Sequence, residues 1–258
     1  MARALARALR SFWNRFRFRR WVLRLRFELR RHGAKLFLDG GGDVRFDRPP
    51  RIKAYPGRGS GGGSFRLTLG ERVDLGENLV LEIFADGETE LTLGDRARLQ
   101  RNVRILVREG SISIGRDAEV RDGAWLKSDG ELRVGSGATI GPYSAIHCAG
   151  RVVLADLVGL AERVSIADSD HKFDGTDQHY MGKRVTVSPV LVGRGTMVAF
   201  NSVVLRGASI GKNSVVAANS VVRGGCYAVG SLLAGNPAEE IRDLREEPIP
   251  NGGAGLAA

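Results

Sequence analysis

The sequence is short of several things. Its 258 residues include only two cysteines, which excludes a disulfide framework and makes a reducing, cytoplasmic setting the default. Aromatic residues make up 7% of the chain, too few for a core built on large rings. No apolar run reaches the roughly 18 residues of a membrane span. The basic N-terminus lacks the apolar segment of a secretory signal. Four scattered histidines and two unpaired cysteines offer no metal-ligand spacing, so no metal is expected. Acid is nearly missing from the first 37 residues, where Glu28 stands alone against eleven arginines and Lys35, a net +11. The whole chain carries +10, which leaves the remainder at −1. The basic character therefore belongs to an N-terminal arm, and nucleic-acid binding is not expected of a folded part without basic surplus.

What the chain does have is glycine, 35 of them, and a rhythm. Aliphatic residues followed by a small or polar one recur at Leu69, Leu93, Ile114, Val134, Leu154, Val192 and Ile210, with spacings of 24, 21, 20, 20, 38 and 18. Six residues after each comes a second aliphatic (Leu75, Leu99, Val120, Ile140, Leu160, Val198, Val216). Six further comes a third (Leu81, Ile105, Leu126, Ile146, Ile166, Val204, Val222). A helix would want apolar residues three and four apart, and a simple strand every second residue. A period of six, three times per unit, describes three short flat faces per turn. A small residue four after each anchor, as at Ala97, Ala118, Ala138 and Ser202, fits a narrow interior. Asn or Gly before it (Asn102, Gly137, Asn201, Gly207, Asn213, Asn219) suits left-handed backbone at corners. The fold expected is all-β, a triangular coil of stacked parallel strands with a continuous aliphatic core. Turn pairs Glu109-Gly110, Asp129-Gly130 and Ala149-Gly150 mark one edge.

The rhythm breaks once. Twenty residues after Gly150 lies Asp170, where the same corner is due, but about eighteen residues, roughly 171–188, are inserted. Long loops inside regular repeats are functional or disordered, and this one opens on the stretch SIADSDHKF with His171.

The hexad columns, the His loop and the ending LLAGNPAEEIRDL together resemble the hexapeptide-repeat acyltransferases, over about residues 67–244. Within that family the likeness is greatest to bacterial sugar and polysaccharide O-acetyltransferases. The resemblance implies a left-handed parallel β-helix, a homotrimer, a site between subunits and acetyl-CoA as co-substrate. It implies acetyl transfer to a sugar hydroxyl of a surface glycan or its precursor, with His171 as the general base. Imidazole titrates near neutrality and can take the hydroxyl proton. Asp168 and Asp170 can orient that imidazole, or can be turn residues. The oxyanion donor aligns with the backbone N–H groups of Ala199-Phe200. Acetyl-CoA contacts map to Ala199, Asn201, Lys212, Arg223 and the turn Gly235, Asn236, Pro237, with Arg242 a further cation in reach of phosphates. His147, one coil earlier, is a weaker acceptor contact, and His179 a loop residue facing solvent or acceptor. An N-acyltransferase on a nucleotide-linked amino sugar is the alternative within the family. A non-catalytic β-helix scaffold docked to a membrane is the alternative outside it.

The expected organisation is a basic amphipathic arm (1–37), a Gly-rich connection (38–66), the β-helix (67–234), a C-terminal cap with a short helix (235–247) and a disordered tail (248–258). The segment PGRGSGGGSF, 56–65, lacks Walker-loop spacing and is expected to be a flexible entry to the first coil. In the arm, Leu5, Leu9, Phe12, Phe16, Leu23 and Phe27 fit one helical face. Aromatics on one side and arginines on the other suit an anionic membrane surface, through residues 1–31. The competing expectation is a helix packed on a neighbouring subunit. The localisation expected is cytoplasmic, peripheral at the inner membrane face. Cys226 sits at an inward hexad position and is expected to be buried. Cys148 is expected to be inert.

Overall fold

The computed structural model describes residues 2–41, 43–46, 48–56, 62–84 and 87–245, with side chains from residue 14 onward. The tail 248–258 and residues 57–61 of the Gly-rich segment lie outside the described residues. Three sheets of nine, ten and eight strands, parallel except for the final strand Ala238–Asp243 of the second, form the three sides of a coil. Each of the three aliphatic columns runs up the inside of one sheet. Leu69, Leu75 and Leu81 pair in register with Leu93, Leu99 and Ile105, and so on through the stack. All twenty-one column residues are buried, and so are the small second-position residues Ala97, Ala118, Ala138 and Ser202. The core is one continuous cluster along the coil. The six corner residues expected to take left-handed backbone all have φ between 55° and 79°.

At Gly110 and Gly130 the glycine of the turn pair has a second reason beyond turn chemistry. A Cβ on Gly130 would stand 2.2 Å from the carbonyl oxygen of Gly150 in the next coil, so that corner closes only with bare backbone.

Helix α1 (Ala2–Arg31) leads into three strands of a first coil, β1 (Lys35–Gly40), β2 (Arg45–Phe46) and β3 (Arg51–Tyr55). The β-helix therefore starts at Lys35, not at 67, and the expected connection over 38–66 carries the strands of this first coil and the start of the next strand, Ser64–Leu69. Phe46 pairs with Leu75 and Ile52 with Leu81, so the columns extend downward. The α1 side chains Phe18, Trp21, Val22, Leu25 and Leu29 are buried against this coil, and Trp21 donates its indole N–H to the carbonyl of Pro50 at 3.0 Å. The helix thus plugs the open end of the coil, where aliphatic columns would otherwise face water. The stripe through Phe16, Leu23 and Phe27 faces away from the coil and is exposed.

Two further expectations are overturned. The C-terminal cap is no helix. Strand Ser231–Gly235 turns at Asn236-Pro237, and Ala238–Asp243 returns antiparallel beside it. An open last strand is a pairing template, and covering it outweighs the helix propensity of Glu-Glu-Ile-Arg. Cys226 is exposed. Tyr227, not Cys226, pairs with the inward Ile210, while Cys226 pairs with the outward Ser209. The last coil is 17 residues from Ile210 to Tyr227, one short of 18, and one residue flips the face.

Candidate functional site

Each strand of the third sheet ends in a corner that leads into the first sheet. At the corner after Ser165–Ala167, the inserted segment leaves as a hairpin. Ser169–His171 pairs antiparallel with Val185–Val187, with His171 opposite Val185. The departure comes at Ser169, two residues before the expected 171, because Asp168 is the last residue of the corner. At the far end of the hairpin, Lys183 Nζ lies 2.7 Å from Asp174 Oδ1 and 3.1 Å from the carbonyl of Thr176. The bonds from Lys183 and Thr176 hold the Asp174 carboxyl below its usual range.

Asp168 is fully buried. Its Oδ1 accepts the Ala149 N–H, and its Oδ2 accepts those of Gly150 and Arg151, each at 2.7 Å. The carboxylate is committed to the corner of the preceding coil, which is turn chemistry and not orientation of an imidazole. Asp170 is exposed and pairs with Arg206 Nε at 2.7 Å. Neither acid bonds His171. The His171 Nδ1 is buried without a hydrogen-bond partner. The ring stands edge-on to Tyr180, centroids 5.3 Å apart. Its Nε2 has no hydrogen-bond partner among the described residues and is not among the buried atoms. His179 is exposed and accepts the Met181 N–H on Nδ1 at 3.3 Å.

Beneath the hairpin, the outer face of the third sheet carries an unusual set. Trp125 and His147 sit one coil apart on adjacent strands, rings edge-on at 4.8 Å. Arg104 lies over the Trp125 ring at 5.1 Å. Burial, and secondarily Lys127, pushes the His147 pKa below its ordinary value, against a smaller pull from Asp129. Among the described residues, five buried side-chain polar atoms lack a hydrogen bond: Arg108 Nε, Trp125 Nε1, Asp129 Oδ1, His147 Nε2 and His171 Nδ1, of which Arg108 Nε and Asp129 Oδ1 face each other as an ion pair at 3.5 Å. All five lie on this face or at the corner that follows it. Buried polar groups are satisfied as a rule, so Trp125 Nε1, His147 Nε2 and His171 Nδ1, which have neither a hydrogen bond nor an ion pair, single out this face. The sequence pointed to His147 and His171 but missed Trp125, Arg108 and Asp129. The signal was available: Trp125 and Lys127 flank the inward Leu126 and must face outward.

The remaining expected residues fall elsewhere. Ala199, Phe200 and Asn201 form the corner between the second and third sheets. The Phe200 carbonyl accepts the Asn219 N–H of the next coil at 2.9 Å. Above them, the Gly235 N–H donates to Ser220 Oγ at 3.2 Å, so the turn Gly235, Asn236, Pro237 stands over the same corner. The Ala199 N–H is spent on the Val216 carbonyl at 2.9 Å. The Phe200 N–H has no partner among the described residues, and the ring is exposed. Lys212 is at the corner between the first and second sheets. Arg223 lies on the His171 corner, and both are exposed. Arg242 is in the final strand. One chain therefore gathers Ala199, Phe200, Asn201 and the 235–237 turn on one corner, and holds His171 on another.

The Cys148 thiol is buried and pushed up to about 12, chiefly by burial. No helix among the described residues is long and apolar enough to cross a membrane.

No protein-family model matches the chain. In sequence it is 29% identical over 133 residues to "Probable acetyltransferase Rv3034c" of Mycobacterium tuberculosis, spanning 51% of this chain and 44% of that protein. It is 29% identical over 123 residues to the "Carnitine operon protein CaiE" of a Proteus species, spanning 46% of this chain and 62% of that one. The chain thus spans about half the length of the relatives it matches. Among solved structures it overlays on UDP-N-acetylglucosamine O-acyltransferase of Moraxella catarrhalis with a TM-score of 0.46 and 17% identity, covering 79% of this chain and 74% of that one. In repeat and in coil the chain is similar to the hexapeptide-repeat β-helix proteins, and the sequence relatives it matches include one named a probable acetyltransferase.

Proposed function

We propose that the protein transfers an acetyl group from acetyl-CoA to a sugar hydroxyl of a surface glycan or its precursor. The observation that carries this reading is the row of buried nitrogens without hydrogen bonds, Trp125 Nε1 and His147 Nε2 on the third sheet's outer face and His171 Nδ1 at its corner. His171 is the general base. Its open nitrogen takes the hydroxyl proton as the oxygen attacks the thioester carbonyl. The tetrahedral intermediate collapses with cleavage of the C–S bond, and the departing CoA thiolate takes up the proton. The activated thioester needs no covalent enzyme intermediate. The Phe200 N–H is the donor for the oxyanion, because the neighbouring Ala199 N–H is already used. Trp125 and His147 offer an apolar face and hydrogen-bonding edges to a sugar.

The working unit is a homotrimer. His171 and the corner that carries Ala199, Phe200, Asn201 and the 235–237 turn are on different corners of one chain, so a neighbour must supply the second half of the site. Closed symmetry is the rule for such assemblies. Two free thiols fit a reducing cytoplasm.

The test is calorimetric titration with acetyl-CoA, followed by a screen of glycan and amino-sugar acceptors. Saturable binding tighter than about 1 mM, roughly −4 kcal/mol, and transfer to a hydroxyl are expected. Transfer to amino groups alone would replace the reading with N-acylation. No binding at several times that concentration would sink it.

A further inference from the structure

We propose that α1 docks the protein on an anionic membrane surface through the stripe of side chains that faces away from the β-helix. The helix has two opposed apolar stripes. One, centred on Phe18, Trp21, Val22, Leu25 and Leu29, is buried and plugs the coil. The other holds Phe16, Leu23 and Phe27, which are 46%, 62% and 60% exposed. At about 100° per residue these three fall on the opposite side of the helix from the first stripe.

The flanks decide the occupant. From residue 14 to 31 there are eight arginines and one acid, Glu28, and all eight arginines are exposed. By the same periodicity four border one side of the outer stripe (Arg15, Arg19, Arg26, Arg30) and four the other. Arg20 lies 5.8 Å from the Phe16 ring and Arg31 5.8 Å from the Phe27 ring. An apolar ridge between two rows of guanidinium groups matches the acyl boundary and phosphate headgroups of a bilayer. A second copy is a poor match, since its own helix is equally basic and the rest of the chain carries only −1.

The placement also narrows the acceptor, a step that rests on the acetyl-transfer reading. Five strand-to-strand steps of the third sheet, from β3 to Ser165–Ala167, put the His171 corner roughly 24 Å above the first coil. The helix adds about 10 Å. The hydroxyl that reaches His171 thus belongs to a glycan chain extending well off the membrane, not to a lipid headgroup. In a parallel trimer the three helices lie at one end and act together.

The test is co-sedimentation of the full-length protein with phosphatidylcholine vesicles, with and without phosphatidylglycerol. The protein is expected to sediment with the anionic vesicles only, and to be released by high salt. Two variants are made: Phe16→Ser with Leu23→Ser and Phe27→Ser, and Arg19→Gln with Arg20→Gln, Arg30→Gln and Arg31→Gln. Each is expected to weaken vesicle binding at least about tenfold while keeping the native thermal midpoint and acetyl-CoA binding. Absent or lipid-independent binding, or binding unchanged in both variants, overturns the proposal. A fall in oligomeric mass of the first variant, without vesicle binding by the parent, assigns the stripe to a neighbouring subunit instead. Loss of acetyl transfer to every acceptor, with vesicle binding intact, would overturn the catalytic reading and leave the docking standing.

Discussion

The His171 imidazole stands edge-on to Tyr180, ring planes at 87° and centroids 5.3 Å apart. The proposed base is therefore held by the inserted hairpin itself and not by a carboxylate. His171→Ala is expected to leave the fold unchanged and to lower turnover at least about a hundredfold, the usual share of a general base. Tyr180→Ala should cost about two- to tenfold, the worth of one aromatic pair. Steady-state kinetics on both variants checks this, and near-parental turnover in His171→Ala would remove the base assignment.

Asp168 is expected to matter for stability. Its two oxygens accept three backbone N–H groups of the preceding coil. Asp168→Ala would leave three part-buried donors without an acceptor, at a cost of about 3 kcal/mol. Asp168→Asn keeps one acceptor oxygen and should cost less. Urea unfolding reads both. An unshifted midpoint with slowed turnover would instead return Asp168 to the catalytic machinery.

These assignments also show which parts of the molecule could be read from sequence. The three columns were legible because every coil must bury one aliphatic per face, and register leaves no freedom. The first coil escaped because its leading column position is Gly40. A Cβ there would meet the Leu69 carbonyl oxygen at 1.9 Å, and φ is +78°, so no aliphatic can mark the place. Phe46 and Ile52 keep the six-residue step but lie 29 residues before Leu75 and Leu81, too far for a twenty-residue search. In the site, His171 was legible because it breaks the repeat. The commitment of Asp168 to backbone was not, since three amides from another coil leave no trace in local sequence. The two stripes of α1 were both present as periodicity, but which one packs depends on the end of the coil it has to close.

His147 gives a pH dependence. Burial lowers its pKa from 6.5 in the folded protein. Between that lowered value and 6.5 the unfolded chain binds more protons than the folded one, so stability rises with pH across this window and falls on acidification. Below the lowered value the penalty is fully present and constant. His147→Gln removes this contribution. Unfolding midpoints compared at about pH 7 and about pH 5 should converge for the variant relative to the parent. An identical slope in both would mean that His147 is not withheld from protonation by its surroundings.

The two thiols should separate cleanly. Cys148 is buried, with its pKa pushed up to about 12, and its Sγ donates to the Glu131 carbonyl at 3.3 Å. Thiolate is the reactive form, so at neutral pH Cys148 has neither the charge nor the access to react. Cys226 is exposed because the last coil is one residue short. Native protein is expected to titrate one thiol with a disulfide reagent, and unfolded protein two. Cys226→Ser should abolish the native reaction and leave one thiol on unfolding. A native titre of zero in the parent would show that the final coil keeps the eighteen-residue register, with Cys226 facing inward. The outward face of that coil, which carries Arg223, would then have to be redrawn.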